Sequence, residues 1–232
     1  LFDEIDSTVL EARRRVDRGD IGPVWLIARG QTAGRGRRGR AWASLEGNLL
    51  TTYLGPSHWP PSEVALCGFA AALAISDALD GVLGVARTTL KWPNDVLLDG
   101  AKAAGILIDS GGVWLALSFG VNLASSPKQI DQPTTSLADA LGDAAPTALA
   151  FFDVLRPCLA QWFSRLTQEG FTPLRSAWLD RAHGLGALAS VSLGEEVLEG
   201  RLAGLSSRGE LELDTAYGRR LIAAGDVVFT VV

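Results

Sequence analysis

The 232-residue chain has no methionine, two cysteines and two histidines, and each scarcity removes a class of chemistry. Cys67 and Cys158 stand far apart in helical-looking segments, without the close Cys or His neighbours a metal site requires, and read as buried reduced thiols. His58 lies in a Pro-rich loop and His183 near a helix end, which argues against a Ser-His or Cys-His catalytic pair. No charged-then-apolar leader with a cleavage site opens the sequence, and the missing methionine implies a lost or trimmed initiator, so the expected location is cytoplasmic. The apolar stretch from Val64 to Ile75 contains Gly68 and is bounded by Glu63 and Asp77. It falls short of the roughly 20 residues a membrane span needs and reads as a buried helix, so no membrane partner is expected.

The formal net charge is −5, with 47% hydrophobic and 20% charged residues, a balance that supports one sizeable core and a small second domain. Against that acidic background stand four arginines and three glycines in Gly34-Arg35-Gly36-Arg37-Arg38-Gly39-Arg40. Without these arginines the charge falls from −5 to −9, so nucleic acid finds little attraction elsewhere. Crowded cations repel and glycine leaves their backbone loose, which implies an anionic organiser, best matched by a small polyanion. On this reading the loop is mobile without ligand and closes when phosphate cancels its repulsion.

Thr8 and Glu11 have capping-box spacing before a short basic helix over Ala12 to Arg18, which Gly19 ends. Val24–Ala28 and Leu49–Leu54 read as strands flanking the arginine loop, and a long helix runs from Pro61-Ser62 to about Asp80. Thr89–Trp92, Val96–Leu98, Gly105–Asp109 and Val113–Val121 are strand-like, and Asp99-Gly100 makes a hairpin of the second and third. Helices are expected at Ser136–Leu141, Thr147–Glu169 around Pro157, and Pro173–Ala182. Beyond Gly184 come short alternating segments at Ala189–Leu193, Leu198–Leu202, Glu210–Leu213 and Val227–Val232, which read as a small β-barrel. The fold class is therefore α+β: a mixed sheet with helices on one side over residues 1–184, then a small barrel over 185–232.

Gly34-x-Gly36-x-x-Gly39 matches a dinucleotide-binding spacing, but no apolar helix and no well-placed acid follow it. A P-loop motif is missing as well. The loop is instead followed by Trp42, Gly47-Asn48-Leu49, Lys91-Trp92-Pro93-Asn94-Asp95, Lys102-Ala103-Ala104-Gly105-Ile106 and Gly120-Val121-Asn122. In order and spacing these blocks, with the Asp6-Ser7-Thr8 opening, resemble the biotin–protein ligases over essentially the whole chain, the final segment resembling their C-terminal SH3-like domain. Two positions depart from the family pattern: Val9 where Asn is usual, and Ser118 where Gly is usual.

The resemblance implies ATP-dependent formation of biotinyl-5'-AMP and transfer of biotin to a lysine of a biotin carboxyl carrier protein, an acyl-CoA carboxylase subunit. It assigns Arg35, Arg37, Lys102 and Asp95 to catalysis. Ser7, Thr8, Gln31, Gly34, Arg35, Trp42, Lys102 and Gly105 would bind biotin, and Arg37, Trp42, Asn94, Lys102 and Asn122 the nucleotide. Asp95 would ligate Mg2+ or orient the incoming amine, and Trp92 and Pro93 serve either the site or sheet-edge packing. Biotin, ATP and Mg2+ are substrates and metal rather than tightly held cofactors. No DNA partner is expected, because no helix-turn-helix precedes Asp6, and the chain would act as a monomer or homodimer. The alternatives are a lipoate or octanoate transferase of the same fold and an RNA-binding module built on the arginine loop.

Overall fold

The computed structural model describes residues 1–128 and 132–229. Its first sheet orders seven strands as β1 (Phe2–Ile5), β2 (Val24–Gln31), β3 (Leu49–Pro56), β7 (Trp114–Val121), β6 (Ala101–Ser110), β5 (Asp95–Leu98) and β4 (Thr88–Lys91). β1 runs parallel to β2 and the remaining pairs are antiparallel, so the sheet is mixed. β1, with two acids in four residues, has no apolar pattern to announce it. Asp99 and Gly100 both take positive φ, +50° and +80°, as the tight β5–β6 turn requires.

Side chains alternate across a strand, and β7 sorts them sharply. Leu115, Leu117, Phe119 and Val121 join the main core, which α2 (Leu66–Leu83), α4 (Ala148–Glu169) and α5 (Phe171–Leu179) cover. α2 is apolar and long enough to cross a membrane by composition alone, but 72% of it is buried inside the fold. Its Asp77 accepts hydrogen bonds from Arg181 and Trp162, each at 2.6 Å, and its Asp80 accepts from Thr88, so it is a core helix with both half-buried acids satisfied.

The other face carries α1 (Thr8–Asp17), whose Ala12 packs with Leu26, Leu54 and Ala116 in a separate small cluster. Three helices thus share one face while α1 takes the other, pinned by an Arg13–Asp109 ion pair to β6. The expected Thr8–Glu11 capping box does not form. Ser7 is the N-cap residue, and the helix begins at Thr8, a turn ahead of expectation. The Thr8 hydroxyl instead donates to Gln31, and Glu11 pairs with Arg14 and Arg15. A capping box does open α3 (Leu137–Leu141), between Ser136 and Asp139.

The second sheet is antiparallel, with β11 (Gly218–Ile222), β10 (Leu211–Thr215), β9 (Val197–Leu205), β8 (Leu188–Ser192) and β12 (Asp226–Phe229) in that order. β11 and β12 are edges that do not pair among the described residues, so the expected barrel is an open sheet. β11 itself was hidden by its exposed, polar residues. Residues 230–232 of the strand expected over Val227–Val232 lie outside the described residues. One continuous core joins both sheets, running from Phe69 and Trp178 to Leu205, Leu211 and Leu213. Trp92 is buried at this junction and donates its indole N–H to the Gly209 carbonyl at 3.2 Å. Trp92 thus packs at this junction, and it also lines a cleft beside Pro93 and Asn94.

Candidate active site

On the α1 face, the strands beyond that helix offer Gly105, Ser118 and Gly120 in place of large apolar side chains. The space they leave is a cleft of about 950 Å3, a volume suited to a small organic ligand plus a nucleotide. Arg35, Arg37, Arg40, Lys91 and Lys102 line it against two carboxylates, Asp95 and Asp226, so its field favours polyanions.

One end of the cleft is a chain of hydroxyls. Gln31 Oε1 accepts from the Thr8 backbone N–H at 2.7 Å and from Thr8 Oγ1 at 3.0 Å. Thr52 Oγ1 donates to Thr8 Oγ1 at 2.8 Å and lies 2.8 Å from Ser118 Oγ. Gln31 Nε2 donates to Ser44 at 3.2 Å. Ser7 and Thr8 are nearly inaccessible, while Val9, the unusual residue, reaches the same wall.

The middle is built around Trp42. Added Cβ atoms at Gly120 and Gly105 would fall 2.2 Å and 2.8 Å from the indole, so both glycines are needed for its close approach to the sheet. Lys102 Nζ lies 5.5 Å from the ring centroid and 2.7 Å from Asp95 Oδ1. Asp95 and Gly105 are register partners across β5 and β6, which fixes the acid, the lysine and the indole in one patch. Gly34 is outside the lining. It closes the loop by accepting from the Trp42 N–H at 2.9 Å.

Asn122 donates its side-chain N–H groups to the carbonyls of Thr135 at 3.1 Å and Lys102 at 3.4 Å. Its Oδ1 is buried with no protein partner among the described residues, an acceptor at the cleft wall whose burial is uncompensated. Asn94 lines the cleft and also has a structural role. Its side chain donates to the Ile106 carbonyl at 2.8 Å and accepts from Arg37 at 3.1 Å, which anchors the arginine loop to β5.

The anion that organises the loop is partly the protein's own. Asp226, at the start of β12, lies 2.8 Å from Arg40, 3.1 Å from Arg38 and 3.7 Å from Arg37, and Arg37 also donates to the Gly225 carbonyl at 3.4 Å. The loop adds its own bonds, Gly36 N–H to Arg40 O at 2.8 Å and Arg40 N–H to Arg37 O at 3.1 Å. The freedom expected of it without ligand is thus curbed from within. Arg35 alone of its arginines has no ion-pair partner among the described residues.

Burial holds the Arg37 guanidinium below its ordinary range despite Asp226, and does the same to the Lys91 ammonium despite Asp95. Lys91 and Asp226 in the wall, and the buried Thr52 behind Ser118, are among the residues that sequence reasoning left without a role. Lys91 was visible inside its motif. Among the described residues no three His, Cys, Asp or Glu side chains form a metal cluster. A single carboxylate such as Asp95 suits Mg2+ carried mainly by phosphate oxygens.

Comparison with known proteins agrees with this architecture. Residues 6–122 match the Biotin/lipoate A/B protein ligase family, and residues 190–230 match the Biotin protein ligase C terminal domain. The chain is 39% identical to a biotin–[acetyl-CoA-carboxylase] ligase of Paracoccus denitrificans, covering 97% of each. It is 35% identical to the Mycobacterium tuberculosis protein of that name, over 93% of this chain and 82% of that one. A similar solved structure is the biotin protein ligase of Aquifex aeolicus in complex with biotin and ATP, with TM-score 0.84 at 25% identity, covering 99% of this chain and 97% of that one. A cleft rich in cations, a hydroxyl-lined end and two matched domains lead to one conclusion: the chain belongs to the biotin protein ligase family.

Proposed function

We propose that this protein activates biotin with ATP as biotinyl-5'-AMP and passes biotin to a lysine of a biotin carboxyl carrier protein. The observation that carries this reading is the convergence of Arg35, without an ion-pair partner among the described residues, with Lys102 on one cleft that also has a closed hydrogen-bonding end. A carboxylate must approach a triphosphate, and two anions repel. Fixed cations remove most of that barrier, because they are already aimed where charge accumulates and reorganise little during reaction.

The biotin ring occupies the end formed by Ser7, Thr8, Gln31 and Ser118, and its tail runs over Gly105 beside Trp42. Lys102 holds the carboxylate oxygen against the α-phosphorus, and Arg35 and Arg37 grip phosphate oxygens with their planar donors. The carboxylate attacks phosphorus, the bond to the β-phosphate breaks, and pyrophosphate leaves. A carrier lysine then attacks the acyl carbon and AMP departs. Asn122 Oδ1, buried without a partner among the described residues, accepts from the adenine amino group. Mg2+, when bound, neutralises phosphate charge, and Asp95 is the protein carboxylate assigned to it. Asp95 also keeps Lys102 in place. The C-terminal unit from residue 185 supplies Asp226 to steady the loop. The protein acts in the cytoplasm.

A lipoate transferase shares the first family match, but the second match and the named relatives favour biotin. An RNA-binding role has only the loop's composition behind it. The test is biotin-dependent ATP–pyrophosphate exchange and labelling of a carrier domain. The wild type is expected to perform both, and Arg35→Ala to lose exchange on the order of 10²-fold while remaining folded. Transfer of lipoate in preference to biotin would overturn the assignment.

A further inference from the structure

The hydroxyl chain at the cleft's end has a fixed direction, and that direction decides what Ser118 can offer a ligand. It starts at a donor that cannot reverse, the Thr8 backbone N–H, which meets Gln31 at 2.7 Å and so identifies the atom there as Oε1. Thr8 Oγ1, 3.0 Å from the same oxygen, must spend its proton on it. Thr52 Oγ1 then has to donate to Thr8. Ser118 Oγ, 2.8 Å from Thr52 Oγ1, has to donate to Thr52. Each hydroxyl has one proton, and all three are committed away from the cleft.

Ser118 lines the cleft and is only partly buried, so what it presents to a ligand is lone pairs without a proton. We infer that Ser118 is a specificity-determining residue that accepts a hydrogen bond from a ring N–H of the substrate, a contact that glycine at this position cannot make. The inference rests on the proposed biotin activity, whose ureido ring carries two N–H groups. Ser118 sits two hydrogen bonds from Thr8, beside the residues assigned to that ring. A ring without N–H, such as the dithiolane of lipoate, would face an acceptor it cannot satisfy. Sites that demand a donor reject analogues lacking one more strongly than apolar walls do.

The relay also makes Ser118 a fixed acceptor. Thr52 is fully buried and part of β3, and its pairing with Ser118 follows the β3–β7 register, where the two residues are direct partners. The backbone thereby sets both the position and the polarity of the serine oxygen.

Calorimetric titration of the whole protein with biotin, and with the two biotins methylated on one ureido nitrogen, tests this. Ser118→Ala should bind biotin about tenfold more weakly than wild type. For one methylated isomer, the penalty seen in wild type should shrink in Ser118→Ala, because the acceptor it blocks is already gone. Equal biotin affinity in the two proteins, or a methylation penalty that is the same in both proteins for each isomer, would overturn the inference while leaving the biotin assignment intact. Failure of the wild type to bind biotin would overturn the assignment itself.

Discussion

The two faces of the seven-stranded sheet are made by the same strands yet obey different rules. On β7, Leu117 and Phe119 fill the core beneath α2 and α4, whereas Ser118 and Gly120, the residue after each, floor the cleft. The first face is held by area removed from water, which tolerates no gap. The second is held by directed bonds and by ion pairs, and it keeps space open. Stability and ligand recognition are thus assigned to alternate residues, one step apart along a chain.

Leu117→Ala should break the packed face most severely. A loss of about 2–5 kcal/mol in urea unfolding is expected, with biotin affinity of the folded fraction unchanged. Gly120→Ala addresses the opposite face. Its new Cβ would fall 2.2 Å from the Trp42 indole, so exchange activity should drop on the order of 10²-fold, with a far smaller shift in unfolding midpoint than Leu117→Ala gives.

Asp226→Asn probes the electrostatic part of the cleft. Removing the anion shared by Arg37, Arg38 and Arg40 should speed tryptic cleavage of the ligand-free loop roughly fivefold. High salt should partly mimic the substitution; an unchanged cleavage rate would show that the loop's own turns suffice. The smallest effect belongs to Asp6, whose pKa is lowered from 3.8 to about 2, chiefly by its hydrogen bonds from Arg14. A depressed carboxyl stabilises the fold above its unfolded value, and this contribution disappears as pH falls from about 4 through 2. The pair is over a third exposed, so Asp6→Asn should cost under about 1 kcal/mol near neutrality, with the difference from wild type vanishing in acid melts.

How much of this was legible in the sequence follows from range. Arg35, Asn94, Asp95 and Lys102 lie in short motifs whose charge or turn chemistry is local, so they could be singled out at once, whereas Lys91 lies within its motif but was given no role. The Asp99-Gly100 hairpin and the Thr147 start of α4 were legible for the same reason. Asp226 was not, because it lies 186 residues from Arg40 and only folding joins them. Thr52 was silent too, an ordinary strand threonine until register set it opposite Ser118. β1 and β11 escaped because edge strands bury little and need no alternating pattern. The barrel reading missed β11 as well as the open edges, since an exposed polar strand leaves no alternating pattern and turn spacing does not report whether the outer strands meet.

Trp92 plugs into the second sheet through Gly209, and three residues later the same short segment delivers Asp95 to the cleft. That segment is a lever with its fulcrum between the two units. Any tilt of the C-terminal sheet would move the acid that steadies Lys102, and chimeras made by exchanging that sheet between relatives would have to carry a matching socket for the indole to keep their chemistry aligned.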